Sequence, residues 1–215
     1  MREYPMSDSN PTRVRLLEKG QADASLGPLY DRADAVSEGS TLPGPTLFGN
    51  QVRALAHNPA LLRSLFGVYE AFAAEPSIDR KLTELGILVV SRVNACRYCV
   101  QHHAPLAHGA GLEKAQLQAI QNDAWSDQRL WSKEEWLVVR YAEALASVPQ
   151  RVDDRLFSEL KASFSERQIV DLTMRLALCA AWNKFNDALG LDTESAFQHA
   201  FSELGIGAGA DKVSV

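Results

Sequence analysis

No stretch of this chain approaches the roughly 18 to 20 consecutive apolar residues that a membrane span requires. The longest uncharged apolar run is residues 176–182. No excess of basic charge is present either: 22 Lys+Arg stand against 27 Asp+Glu, a net charge of −5. Nucleic acid binds through basic side chains that displace counterions, so neither a nucleic acid nor a membrane is expected as a partner. Residues 1–10 are polar and lack the apolar core of a secretory signal, so a cytoplasmic location is expected. Cysteine is scarce: Cys96, Cys99 and Cys179 are the only three in 215 residues. That excludes a disulfide-stapled scaffold and points to a reducing compartment. No alternating strand pattern occurs, nor any Asn-Gly or Asp-Gly hairpin, which removes the usual signals of β structure. Repeats and low-complexity tracts are missing too.

What remains has helical period. Five of the nine prolines, Pro5, Pro11, Pro28, Pro43 and Pro45, fall in residues 1–45 with several glycines. This part reads as an irregular arm with one short helix around residues 29–36 and a loop at residues 37–40. Residues 46–215 read as one all-α, compact multi-helix domain. Asn58-Pro59 predicts a stop and restart, and Leu61, Leu62, Leu65, Val68, Tyr69 and Phe72 a core-facing stripe up to Pro76. Ser77 is the expected N-cap of the next helix, running to about Asn94. Ser132-Lys-Glu-Glu135 and Ser165-Glu-Arg-Gln168 match the capping box, each opening a long apolar-periodic stretch. Residues 152–162 read as a shorter helix between them.

The segment 78–93 is apolar on every face, the mark of a helix enclosed by its neighbours. Glu84 lies inside it. A carboxylate there loses hydration, which suits it to moving protons near neutral pH. The bland alternative is that Glu84 reaches the surface or pairs with Arg80 or Lys81.

Next comes Cys96-Arg-Tyr-Cys99-Val-Gln-His-His103. A new helix is expected to open near Cys96. At about 100° per residue, Cys96, Cys99 and His103 then fan across about 60° of one face, and Tyr98 points away. Cysteines in a first helical turn feel unpaired N–H groups and the positive end of the helix dipole, which favour the thiolate. His103 is placed to take a proton from Cys99, and cysteines at i, i+3 can form a disulfide with little backbone movement. Zinc is the competing reading, through Cys96, Cys99 and His103 or His102, but no second Cys-x-x-Cys or His pair completes a tetrahedral set. Covalent haem attachment requires His directly after the second cysteine, where Val100 stands. A thioredoxin fold requires a preceding strand. The four tryptophans read as packing or subunit contacts, His57 and His108 as helix-end residues, and 182–186 as carrying no chemistry.

Glu84, eleven residues, then Cys96-x-x-Cys99-x-x-x-His103 resembles the signature of alkylhydroperoxidase D-like proteins of the carboxymuconolactone decarboxylase family, in its peroxidase-related branch. The resemblance covers residues 56–111 well and the C-terminal helices loosely. It implies an alkylhydroperoxidase D-like helical fold and a thiol-dependent hydroperoxide reductase of antioxidant defence. In that reading Cys99 attacks peroxide, Cys96 resolves it, and Glu84 and His103 relay protons. No cofactor or metal is implied; the partners are a peroxide, a dithiol or protein reductant, and further copies of the chain in a homo-oligomer. Two positions depart from the pattern. Tyr98 stands where some members carry a histidine, a role that His102 could supply differently. Pro105 removes a hydrogen bond to the Gln101 carbonyl and should kink the helix past the site. The rival functions are a lactone decarboxylase of the same family and a non-catalytic zinc or redox-sensing module.

Overall fold

The computed structural model describes residues 12–37 and 47–206 of the chain. The loop reading at residues 37–40 falls outside them except for Ser37. The described residues form ten α-helices and three short 3-10 turns, with no strand among them. The order is α1 (Gly27–Ser37), α2 (Gly49–Leu55), α3 (Pro59–Ala74), α4 (Arg80–Val93), α5 (Arg97–Gly109), α6 (Lys114–Gln121), α7 (Lys133–Ala146), α8 (Asp154–Ser163), α9 (Glu166–Leu189) and α10 (Ser195–Glu203). None is long and apolar enough to cross a membrane.

Local chemistry sets most of these boundaries. Asn58 accepts from the Leu61 N–H and Pro59 occupies the first helical position, so α3 restarts where the dipeptide predicts. Ser132 and Ser165 form full capping boxes with Glu135 and Gln168 at the heads of α7 and α9. One cap differs from expectation. Asp79, not Ser77, caps α4 through the Lys81 N–H, because the Ser77 hydroxyl is drawn away to Asp171 on α9. Pro105 does not end α5, which continues to Gly109.

α4 is the centre of the molecule. Residues 83–92 are all buried, and the helix packs against α5, α7 and α9. Gly86 permits that approach: a Cβ there would come within 2.8 Å of a Leu176 methyl and 3.2 Å of Val138. The turn from α4 into α5 is a Schellman motif. Ala95 adopts φ 55°, and the N–H groups of Ala95 and Cys96 reach the carbonyls of Arg92 and Ser91 at 3.1 and 2.9 Å. Cys96 is therefore fixed at the end of one helix and the N-cap of the next.

The described part of the arm packs onto the helices. Leu17, Leu26, Tyr30 and Ala33 join Val52, Leu55 and Leu62 in a second apolar cluster. The Tyr30 hydroxyl donates to the Leu17 carbonyl at 2.6 Å. The Arg13 N–H reaches the Leu189 carbonyl at 2.8 Å. α3 rests chiefly on α2 and the Ala24–Leu26 turn, leaving a space between itself and the α4–α5 hairpin.

Candidate active site

That space is a cavity of about 650 Å³. Its walls are mainly apolar, and Glu84, Cys99 and His103 all open onto it. Glu84 is 5% exposed, projecting from α4 within its apolar surroundings. Its Oε2 lies 2.7 Å from His103 Nδ1, on α5. Arg80 stands 3.9 Å from the other carboxylate oxygen, while Lys81 pairs with Glu135 instead. The buried carboxylate thus meets the histidine that the spacing nominated. The Phe48 and His103 rings pack edge to face with their centroids 5.3 Å apart.

The two cysteines do not share one opening, as a continuous helical face would require. Cys96 has extended backbone, φ −87° and ψ 97°, because it is a cap and not a helical residue. Its fully buried sulfur lies behind Cys99 and beside the Asp187 carboxyl, away from the cavity lining. Both thiols are free and within hydrogen-bond reach of each other. The hydrogen bond to Cys99 and then burial push the Cys96 thiol well above its ordinary value. Burial likewise pushes Cys179 up to about 12, where Ser91 Oγ meets its sulfur at 3.3 Å. Asp187 is raised by burial.

Cys99 has a partner that the sequence did not reveal. Asn186 Nδ2, on α9, donates to Cys99 Sγ at 3.2 Å. Gln51 Nε2, on α2, donates to Asn186 Oδ1 at 3.0 Å, which fixes the amide so that its N–H groups face the sulfur. The segment 182–186, read as inert, therefore supplies a cavity wall through Trp182 and a donor to the thiol through Asn186. Two asparagines, Asn183 and Asn186, both 1% exposed and directly after the apolar run 176–182, were the available signal.

His102 does not replace the missing histidine near Cys99. Both its ring nitrogens are engaged elsewhere, Nδ1 with the Tyr98 carbonyl at 2.7 Å and Nε2 with Glu194. Glu194 also accepts from the Tyr98 hydroxyl at 3.2 Å and from the Asn50 N–H. Burial alone would raise Glu194; the His102 bond and the Asn50 N–H outweigh it and hold the carboxyl below its usual range. Burial and the Glu194 charge push Tyr98 well above its ordinary value. Tyr98 points away from the cavity, as its helical position predicts, and this group clasps α5 to α10.

The all-helical bundle, with paired cysteines at a hairpin and a Glu–His couple on the same cavity, has an alkylhydroperoxidase D-like fold. Residues 59–131 match the carboxymuconolactone decarboxylase family. Two curated relatives align with somewhat more than half of this chain. The uncharacterized protein YdfG of Bacillus subtilis is 28% identical over 122 residues, 56% of this chain and 82% of its own. The uncharacterized protein YnjA of Escherichia coli is 29% identical over 124 residues, 54% and 67% respectively. Among solved structures, the debrominase Bmp8 in complex with 2,3,4-tribromopyrrole has a TM-score of 0.72 at 23% identity, covering 92% of this chain and all of its own. An uncharacterized peroxidase-related protein from Ralstonia eutropha has a TM-score of 0.70 at 16% identity, covering 88% and 96%. At these identities the structural likeness is one of fold.

Proposed function

We propose that the chain is a thiol-dependent hydroperoxide reductase acting in antioxidant defence. The observation that carries this reading is the division between the two sulfurs: Cys99 faces the cavity beside His103 and Glu84, and Cys96 waits behind it. A nucleophile must meet the substrate, whereas a resolving thiol need only meet the nucleophile. With Nδ1 committed to Glu84, His103 has Nε2 left to receive the Cys99 proton. The Cys99 thiolate then attacks one oxygen of the O–O bond. The S–O bond forms, the O–O bond breaks, and the departing alkoxide takes a proton from the His103–Glu84 couple. Cys96 displaces hydroxide from the sulfenic acid, giving water and a Cys96–Cys99 disulfide. An external dithiol or protein reductant returns two electrons and two protons. This reading includes assembly into a homo-oligomer.

A dithiol can also reduce a carbon–halogen bond, and the fold shared with a debrominase together with the aromatic cavity walls supports that second reading. One experiment tests both: intact mass after one equivalent of peroxide, or after one equivalent of a halogenated aromatic. On peroxide, wild type is expected to lose two hydrogens and Cys96→Ser to gain one oxygen on Cys99, while Cys99→Ser stays unchanged and consumes none. Cys179→Ser should behave as wild type. A wild type that forms the disulfide with the halogenated aromatic but not with peroxide would replace the first reading by the second.

A further inference from the structure

The cavity is far larger than the reaction at Cys99 requires for a small peroxide. At about 650 Å³ it falls within the range of about 300–1,000 Å³ that encloses whole organic ligands. Leu55, Leu65, Phe66, Phe72, Ile87 and Trp182 make most of its wall apolar. Charge sits in two places. One is the Glu84–His103–Cys99 end. The other holds Ser77, Asp171 and Arg175. Asp171 is taken up by the Ser77 hydroxyl and by Arg167, 3.9 Å away, and Arg80 leans towards Glu84. Arg175 is different. Its guanidinium lies over the rings of Tyr69 and Phe72, 5.5 and 5.1 Å from their centroids. No carboxylate among the described residues comes within salt-bridge distance of it. Ring faces attract a cation but do not neutralise it, so a half-buried guanidinium on an apolar cavity lacks a counter-ion.

The separation between this cation and the thiol can be read along α9. Arg175, Cys179, Trp182 and Asn186 follow one another at spacings of four, three and four, so they share a face. The first three line the cavity and the fourth touches Cys99 Sγ. Eleven residues at about 1.5 Å each place the Cα of Arg175 roughly 16 Å along the axis from that of Asn186, the residue that meets the sulfur. An extended carbon chain, advancing about 1.3 Å per bond, covers that span in roughly a dozen bonds.

We propose that the cavity binds a long-chain carboxylate bearing its hydroperoxide near mid-chain, roughly ten to twelve carbons from the carboxyl group, with Arg175 as the anchor for the carboxylate. This rests on the reading of Cys99 as the thiol that attacks peroxide. The carboxylate forms a two-pronged pair with the guanidinium, whose planar fork matches it. The chain lies along Phe72, Tyr69 and Trp182, and the –OOH group reaches Cys99 and His103. Reduction leaves the corresponding hydroxy acid.

Two measurements separate this site from the chemistry. In Cys99→Ser, which cannot turn over, oleate binding is measured by calorimetry beside methyl oleate. Oleate is expected to bind roughly tenfold or more tightly than its ester. Arg175→Leu added to Cys99→Ser should abolish that difference, and Arg175→Lys should retain part of it, with melting temperatures reporting that each variant folds. In the reactive enzyme, kcat/KM for the free acid of a linoleic acid hydroperoxide should exceed that for its methyl ester, through KM, and Arg175→Leu should erase the preference. Equal binding of oleate and ester by the Arg175 protein, or a preference that survives in Arg175→Leu, would overturn the proposal. If oleate binds in an Arg175-dependent manner while no hydroperoxide is consumed, the anion site stands and the peroxidase reading falls.

Discussion

At the scale of single residues, the site joins parts with very different visibility. Glu84, Cys96, Cys99 and His103 lie within 20 positions on one helical hairpin, so their spacing alone brings them together. Asn186 and Gln51 are 87 and 48 residues from Cys99, and no local pattern encodes a contact of that range. In the proposed reaction the Asn186 amide, which donates to Cys99 Sγ, would stabilise negative charge on that sulfur and on the sulfenate that follows. Asn186→Leu should therefore slow alkylation of Cys99 by iodoacetamide by about tenfold or more at neutral pH. In the proposed reaction the Glu84–His103 couple acts earlier, on the proton. Glu84→Gln keeps the shape but cannot accept that proton, so the alkylation rate should fall by about 10²-fold. His103→Gln should lose a similar amount and the double variant little more, because both act as one unit. A Glu84→Gln protein that reacts like wild type across the pH range would make Glu84 a structural carboxylate.

Among the helices, caps written within three residues were legible and contacts made between helices were not. Ser132 and Ser165 cap as their local sequence predicts, whereas Ser77 is diverted by Asp171, 94 residues away. The same limit hid the clasp between α5 and α10, where Glu194 gathers His102, Tyr98 and Asn50. Because the Glu194 carboxyl is held below its usual range, the clasp contributes stability above the unfolded carboxyl's pKa of about 4.3. That contribution is lost as pH falls through the lower, folded value. Melting temperature should consequently drop in acid below about pH 4, and Glu194→Gln should melt lower at neutral pH and lose less on acidification. Ala95, by contrast, stands in the left-handed region that suits glycine. Ala95→Gly is expected to raise unfolding stability in urea by up to about 1 kcal/mol, since it relieves the Cβ crowding at the Schellman turn. Lower stability would mean that the turn is not strained.

For the molecule as a whole, the all-helical architecture followed from periodicity, because apolar stripes at helical spacing run through most of the chain. The cavity did not follow, since a void is a property of how helices fail to meet. Its wall residues Leu65, Tyr69 and Phe72 read as a core-facing stripe, and so they are, but the core they face is partly empty. Filling that space tests whether it is used. Leu65→Trp should raise KM for a bulky organic hydroperoxide by about tenfold and hydrogen peroxide's by much less. Equal effects on both would indicate that the void is not where the substrate lies.

α3 rests on α2 and the Ala24–Leu26 turn, while the thiols, Glu84 and His103 belong to the α4–α5 hairpin. Part of the cavity wall is thus carried by a helix that holds none of these four groups, and that helix is tied to α9 by the bond from Trp182 Nε1 to the Tyr69 hydroxyl. Mutations in α3 can reshape what enters without moving the sulfur, and mutations in the hairpin can retune the sulfur without closing the door. Such a layout lets the shape of the cavity and the surroundings of its thiol be altered independently.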